Sequence, residues 1–356
     1  MQINTKQLRS ALSACSQAAD RRITLPILSC AKLEAKAGRL TIQSSNLDVW
    51  VERHLDCEGD LEPCAVNLKL LQQVTDQVQA ESCDLLMAGK LIVTDSASKS
   101  VSRLNVVPAV EFPPWPTGKL VPTAVNCADL ATGLDAVAWS CIDADEGRLN
   151  LENVLVALSA QKIVCAGANG KSLAVFSKAS IAADAEFQVP QAFVPALIEA
   201  LEQPHSLIAI GENMVECSHE SGRTMVKLSD LKFVNYAEIM AKKGGDLARI
   251  KTDDLKRPCA ACLNYHSERR YPQLDLDWKG DIITATINGD IAESVQEIAC
   301  VGKRKSGVAY LNAKYLSAAL GKMGDEVKFT PCDSVSFWES GDLCVGILQL
   351  RAKEKA

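Results

Sequence analysis

The sequence predicts an α+β protein of three similar domains in a row, each with two helices packed on antiparallel sheets. Three observations predict it. An apolar pattern at i, i+4 and i+7 occurs three times, as Leu8, Leu12 and Cys15, then Leu130, Leu134 and Val137, then Leu255, Cys259 and Cys262. The copies are offset by 122 and 125 residues. Each pattern precedes period-two alternation and then a second helical stretch. A period near 120 exceeds the roughly 20–50 residues of common solenoid units. The length of 356 residues suits three domains of ordinary size. The expected boundaries are 1–121, 122–245 and 246–356.

The elements follow in order. In the first copy the opening helix leads to Leu40 and Ile42 alternating with Thr41 and Gln43, a strand with one buried face. The third copy repeats this as Ile283, Ala285 and Ile287 against Thr284 and Thr286. The second helices span Asn67 to Val78, Pro190 to Leu201 and Asn312 to Leu320, with Leu71, Val194 and Leu316 in matching places. More strands close each copy. Copies one and two end alike, Glu111-Phe112-Pro113-Pro114-Trp115 matching Lys232-Phe233-Val234-Asn235-Tyr236. Pro258 is expected to bend or shorten the third opening helix.

Composition excludes several classes. At 47% hydrophobic and 23% charged, the chain is globular rather than disordered. No apolar run approaches the roughly 18 residues of a membrane span. Residues Met1 to Lys6 lack the basic region and apolar core of a signal peptide, so the protein reads as cytoplasmic and its fourteen cysteines as thiols. A net charge of −6 rules out a uniformly basic DNA-coating protein but leaves room for a local basic surface. Basic residues gather at Lys6, Arg9, Arg21 and Arg22, at Lys251, Lys256 and Arg257, and at Lys303, Arg304, Lys305 and Lys314. The helices of copy two carry none, and Arg148 is the main basic residue near them.

No catalytic constellation is legible. Cys259-Ala260-Ala261-Cys262 has redox or zinc spacing, but both sulfurs occupy positions that are apolar in the matching pattern. Gly167-Ala168-Asn169-Gly170-Lys171-Ser172 ends like a P-loop, yet a strand-like Leu173-Ala174-Val175-Phe176 follows where that motif requires a helix. Asp143, Asp145 and Glu146 read as a solvated loop, and His54, His205, His219 and His266 are scattered singly. No metal or cofactor is expected.

Several motifs, in this order, carry a resemblance. They are Thr24-Leu25-Pro26-Ile27-Leu28, Gly38-Arg39-Leu40-Thr41-Ile42 with Asn46-Leu47-Asp48, Val107-Pro108-Ala109-Val110-Glu111-Phe112-Pro113, Asn169-Gly170-Lys171-Ser172-Leu173-Ala174, Val189-Pro190 and Phe233-Val234-Asn235-Tyr236. From Met1 to about Arg351 the chain resembles the bacterial replicative sliding clamps, the beta subunits of DNA polymerase III. The resemblance implies a head-to-tail homodimer closing into a six-domain ring, helices inward, round duplex DNA. It implies a non-catalytic processivity factor that tethers the replicative polymerase's catalytic subunit. Further implied partners are the clamp loader and other proteins with a clamp-binding motif, with no membrane involved. Lys6, Arg9, Arg21, Arg22 and Arg148 are the implied phosphate contacts. The implied peptide pocket is walled by Leu151, Gly170, Lys171, Ser172, Leu173, Val234, Glu238, Ile239 and the terminal Gly346, Ile347, Leu348, Gln349, Leu350 and Arg351. Leu104 and Leu263 are the implied subunit contact.

The chain departs from the family pattern at Lys171-Ser172, Val234 and Glu238, and it adds Ala352-Lys353-Glu354-Lys355-Ala356. Two other readings compete: a clamp-like peptide-docking protein that does not encircle DNA, and a thiol-redox or zinc protein using Cys259 and Cys262.

Overall fold

The computed structural model describes residues 1–18, 25–142, 148–244, 248–266, 272–302 and 306–351. One element order recurs three times. The first pass is β1 (Gln2–Asn4), α1 (Thr5–Cys15), β2 (Cys30–Lys36), β3 (Arg39–Ser45), β4 (Val49–Asp56), β5 (Leu61–Asn67), α2 (Leu68–Gln77), β6 (Ser82–Met87), β7 (Leu91–Asp95), β8 (Ser100–Leu104) and a short β9 (Val106–Pro108). The second is β10 (Val121–Thr123), α3 (Cys127–Val137), β11 (Asn153–Ser159), β12 (Lys162–Ala168), β13 (Ser172–Ala179), β14 (Ala185–Pro190), α4 (Val194–Leu201), β15 (Leu207–Ile210), β16 (Met214–His219), β17 (Gly222–Lys227) and a short α5 (Tyr236–Met240). The third is β18 (Ala248–Lys251), α6 (Thr252–Tyr265), β19 (Gln273–Lys279), β20 (Ile282–Asn288), β21 (Glu293–Ala299), β22 (Gly307–Asn312), α7 (Ala313–Leu320), β23 (Glu326–Pro331), β24 (Val335–Ser340) and β25 (Leu343–Leu348).

Asparagine starts four of these helices. The side chains of Asn4, Asn67, Asn126 and Asn312 accept from the backbone N–H groups of Gln7, Leu70, Asp129 and Lys314. Each satisfies a donor that the first helical turn leaves orphaned. The shortening expected at Pro258 does not occur. α6 runs through it for 14 residues, and Pro258 is buried. The ring forfeits one backbone bond, while Asp253 and Asp254 in the first turn favour the helix N-terminus.

The chain forms two compact units, one of Met1–Ala131 with Ala192–Ser229, the other of Thr132–Gln191 with Asp230–Ala356. The first holds a nine-stranded sheet, β10-β15-β16-β17-β4-β3-β2-β5-β9, and a four-stranded sheet, β1-β6-β7-β8. Its large sheet joins two repeats where β17 pairs antiparallel with β4, Met225 opposite Trp50. The second unit holds an eight-stranded sheet, β14-β11-β12-β13-β25-β24-β23-β18, and a four-stranded sheet, β21-β20-β19-β22. There the junction is β13 with β25, Leu173 opposite Gly346. Trp338, Phe329 and Phe337 are fully buried in this unit. Phe329 stacks on Trp338 at 4.4 Å and meets Trp278 edge-on at 5.4 Å.

The β4–β17 junction is polar on both faces. Alternation along β4 sends Arg53 toward α4, where its guanidinium pairs with Glu199 and donates to Thr224 Oγ1 and to the Glu52 and Arg223 carbonyls. Glu52 points the other way and accepts from Arg223 (2.9 Å) and Gln43 (2.6 Å), with His54 at 3.2 Å. Arg223 in turn covers the Trp115 ring at 4.0 Å, and the Trp115 indole donates to Glu216. Trp115, from the motif that ends the first repeat, thereby pins that segment to the sheet.

Burial alone would raise the Glu52 carboxyl, but bonds from His54, Arg223 and Gln43 outweigh it and hold it at about 2. Its ordinary value is 4.5. A depressed carboxylate contributes stability above its unfolded value and loses it as pH falls toward the folded one. The first unit is therefore expected to lose on the order of 3 kcal/mol between pH 4.5 and pH 2 through this group. Chemical denaturation of the chain and of Glu52→Gln across that window checks this. The variant should start weaker and show a flatter acid dependence.

Candidate functional site

The second unit contains a cavity of about 520 Å³. Its floor is the β13–β25–β24 ladder. Leu173 stands opposite Gly346, and Val335 opposite Leu348. Gly346 keeps the floor low, since a Cβ there would lie 3.2 Å from Phe337 and 3.3 Å from Val335. Leu151, Ala168, Val234 and Ile239 form the walls, the last from α5. They belong to, or pack on, an apolar cluster that includes Ile142, Leu155, Val175 and Phe233. Phe233 and Tyr236 meet edge-to-face at 6.4 Å. Burial, with Glu186 nearby, pushes the Tyr236 phenol up.

The mouth is polar. Arg148, Lys171 and Lys242 line it with Ser334. The hairpin turn holding Lys171 is shaped locally. Asn169 Oδ1 accepts from the N–H groups of Lys171 (2.9 Å) and Ser172 (2.7 Å), and Gly170 takes φ +78°. A guanidinium nitrogen of Arg148 lies 3.2 Å from where a Gly170 Cβ would stand. Leu348 is 43% exposed, and its N–H donates to the Lys171 carbonyl at 2.8 Å. An apolar slot with a cationic rim can take a large side chain of an extended peptide while polar groups fix the peptide's direction.

Of the residues expected at a peptide pocket, Leu151, Gly170, Lys171, Ser172, Leu173, Val234, Ile239, Gly346 and Leu348 line this cavity. The others are not among its lining residues. Ile347 is fully buried, opposite Ser172 and away from the Leu173 face. Glu238 accepts from the Asn235 amide, and the Gln349 amide donates to the Cys332 carbonyl. Leu350 N–H donates to the Tyr310 carbonyl, and Arg351 is exposed. The sequence reading missed Asn150, Ala168, Lys242, Ser334 and Val335, and the only signal for the last two is the β24–β25 register. Arg148, expected as a phosphate contact, lies at the cavity mouth, on the loop before β11.

The other expected contacts divide as well. Lys6 is exposed on α1. Arg9 is committed, its guanidinium donating to the Thr75, Asp76 and Val78 carbonyls at the end of α2. Arg21, Arg22, Lys303, Arg304 and Lys305 lie outside the described residues, as do Asp143, Asp145 and Glu146. Leu104 is buried at the end of the edge strand β8, and Leu263 is half-buried on α6.

Cys259 and Cys262 are fully buried, and desolvation pushes both thiols up, Cys262 to about 12. Such thiols are protonated and unreactive at neutral pH. No group of three His, Cys, Asp or Glu able to hold a metal occurs among the described residues. Among them, too, no helix is long and apolar enough to cross a membrane.

The model of the DNA polymerase III beta subunit, N-terminal domain, matches residues 1–116. The beta sliding clamp of Pseudomonas putida is 23% identical over 339 residues, covering 91% of this chain and 90% of that protein. Residues 1–116 match the beta-subunit N-terminal-domain family, and over nine-tenths of its length the chain is similar to a beta sliding clamp. The beta sliding clamp of Rickettsia felis is 23% identical over 250 residues, and that match spans 66% of this chain and 64% of that protein. In fold, the chain is similar to the Thermotoga maritima beta subunit (TM-score 0.89, 17% identity, 99% of each chain). It is also similar to a Pseudomonas aeruginosa sliding clamp bound to griselimycin (TM-score 0.88, 19% identity, 99% of each chain).

Proposed function

We propose that this chain is a sliding clamp. Two copies close head to tail round duplex DNA, and the cavity docks extended peptides of the polymerase catalytic subunit, the clamp loader and other partners. The observation that carries the reading is the threefold recurrence of one element order in a chain similar to beta sliding clamps. The role is non-catalytic and cytoplasmic. Enclosure supplies the hold on DNA, and a tethered polymerase that lets go stays at high effective concentration.

A head-to-tail contact joins two different surfaces. The edge strands β8 and β21 suit one another in charge. Exposed Lys99 and Arg103 lie at the first, and exposed Glu293 and Glu297 on the second. Opposite charges on two unpaired edges favour their pairing. Leu104 and the region of Leu263 belong to that contact in this reading. Lys6, Arg21 and Arg22 remain the proposed phosphate contacts, and three residue pairs at Leu173–Gly346, Val335–Leu348 and Val234–Ile239 frame the peptide slot.

Light scattering at micromolar concentration tests the assembly. A particle of two chains is expected, and a particle of one chain contradicts it. Leu348→Glu tests the slot. Because Leu348 is 43% exposed, the fold should persist while a charge at the mouth interior weakens polymerase-peptide binding at least tenfold. Unchanged peptide affinity in a folded variant would remove the cavity from the docking role.

A further inference from the structure

The two strand junctions are built alike, and the first contains what the second lacks. Asn46 Oδ1 accepts from the N–H groups of Asp48 (3.0 Å) and Val49 (2.7 Å), as Asn169 Oδ1 does from those of Lys171 and Ser172. The residue after each asparagine is left-handed, Leu47 at φ +73° and Gly170 at φ +78°. Lys227 N–H donates to the Asp48 carbonyl at 2.8 Å, as Leu348 N–H does to the Lys171 carbonyl. Two residues farther on, Met225 stands opposite Trp50 as Gly346 stands opposite Leu173. These shared bonds equate Asp48 with Lys171, Trp50 with Leu173, Met225 with Gly346 and Lys227 with Leu348.

The contents of the two places differ. At the first junction the large side chains of Trp50 and Met225 are both buried. Lys227 lies 5.8 Å from the centre of the Trp50 ring and pairs with Asp48 at 2.8 Å. That junction therefore holds its own bulky apolar group and its own ion pair. At the second, the smaller Leu173 and Gly346 leave the 520 Å³ cavity open. Lys171 replaces the carboxylate of Asp48, and Arg148 and Lys242 join it at the mouth. None of the described residues that line this cavity is Asp or Glu, and neighbouring Glu238 is bonded to the Asn235 amide.

We propose that the cavity selects acidic peptides: a large apolar side chain of an extended segment enters over Gly346, and flanking Asp or Glu residues meet Lys171, Lys242 and Arg148. The partner supplies from outside what Trp50 and Asp48 supply within the first junction. This rests on the peptide-docking reading of the cavity and adds the charge of the peptide to it. The apolar anchor provides the hold, while complementary charge at the mouth steers and discriminates. Lys or Arg flanking the same anchor would meet like charge and be rejected.

The test captures peptides on the full chain from a library of acetylated, amidated segments with leucine or tryptophan fixed at the centre and the flanking positions varied. Captured peptides should be enriched in Asp and Glu over Asn and Gln, and depleted of Lys and Arg. Replacing the acids of a captured peptide by their amides should weaken binding about fivefold or more at about 50 mM KCl and less than about twofold at about 500 mM, where salt screens the rim. The triple variant Arg148→Gln, Lys171→Gln, Lys242→Gln should bind acid and amide peptides alike. Lys171→Glu with Lys242→Glu should reverse the selection toward Lys and Arg, which a merely structural role of these residues would not produce. Equal capture of acid and amide peptides by the parent overturns the proposal. So does an acid preference that survives in both folded variants. Leu348→Glu tests the underlying docking reading separately. Loss of capture in that variant supports docking whatever the charge preference, while unchanged capture, or none by the parent, removes docking and the proposal with it.

Discussion

Gly222→Val should unfold the first unit's large sheet at its junction, costing about 4 kcal/mol in chemical denaturation. The residue opens β17 at φ +152°, opposite Arg53 of β4. A Cβ there would run into the Glu52 carbonyl and sit 3.0 Å from the Arg53 Cα. Both are backbone atoms, so no side-chain rotation relieves the clash. Strain at such a backbone position costs roughly 1–3 kcal/mol. Separating the strands would add the loss of ladder bonds at about 1 kcal/mol each, among them His54 N–H to the Ser221 carbonyl. A Gly222→Val midpoint within error of the parent's would show that the junction tolerates displacement.

Arg53→Ala should cost a similar amount, about 4 kcal/mol, for a different reason. The guanidinium is 5% exposed and joins a strand of the first repeat to a helix of the second through Glu199. Removing it leaves the Glu199 carboxylate without its partner and strands the carbonyls and Thr224 hydroxyl it served. The double variant Arg53→Ala, Glu199→Ala should recover part of the loss, because the unpaired charge goes too. Equal destabilisation in single and double variants would mean that packing of the arginine stem, and not pairing, dominates.

Much of the fold was legible because its signals are local. Asn67 and Asn312 mark helix starts by capping chemistry, and Leu40 and Ile42 mark a buried strand face by alternation. The junctions were not legible. Met225 meets Trp50, and Leu173 meets Gly346, across more than 170 residues, and nothing near either residue encodes that register. The same gap hid Val335 and Ser334 from the cavity and let Ile347, one residue from two lining positions, be counted in it. A one-residue step on a strand turns a side chain to the other face. The place of Arg148 at the cavity mouth was not legible because a loop residue has no periodicity to fix its direction. Arg9 looked available on its helix, and only tertiary structure supplies the three carbonyls that occupy it. Pro258 shows the converse, an expected shortening that does not occur in a helix with a buried face.

The central claim is enclosure of the double helix by two chains. Its most direct measurement loads the protein with an ATP-driven clamp loader onto a singly nicked circular plasmid, isolates the complex in 500 mM salt, and then cuts the plasmid once. The account predicts that protein stays with the circle and runs off the linear product. Equal retention before and after the cut, or none on the intact circle, would contradict it.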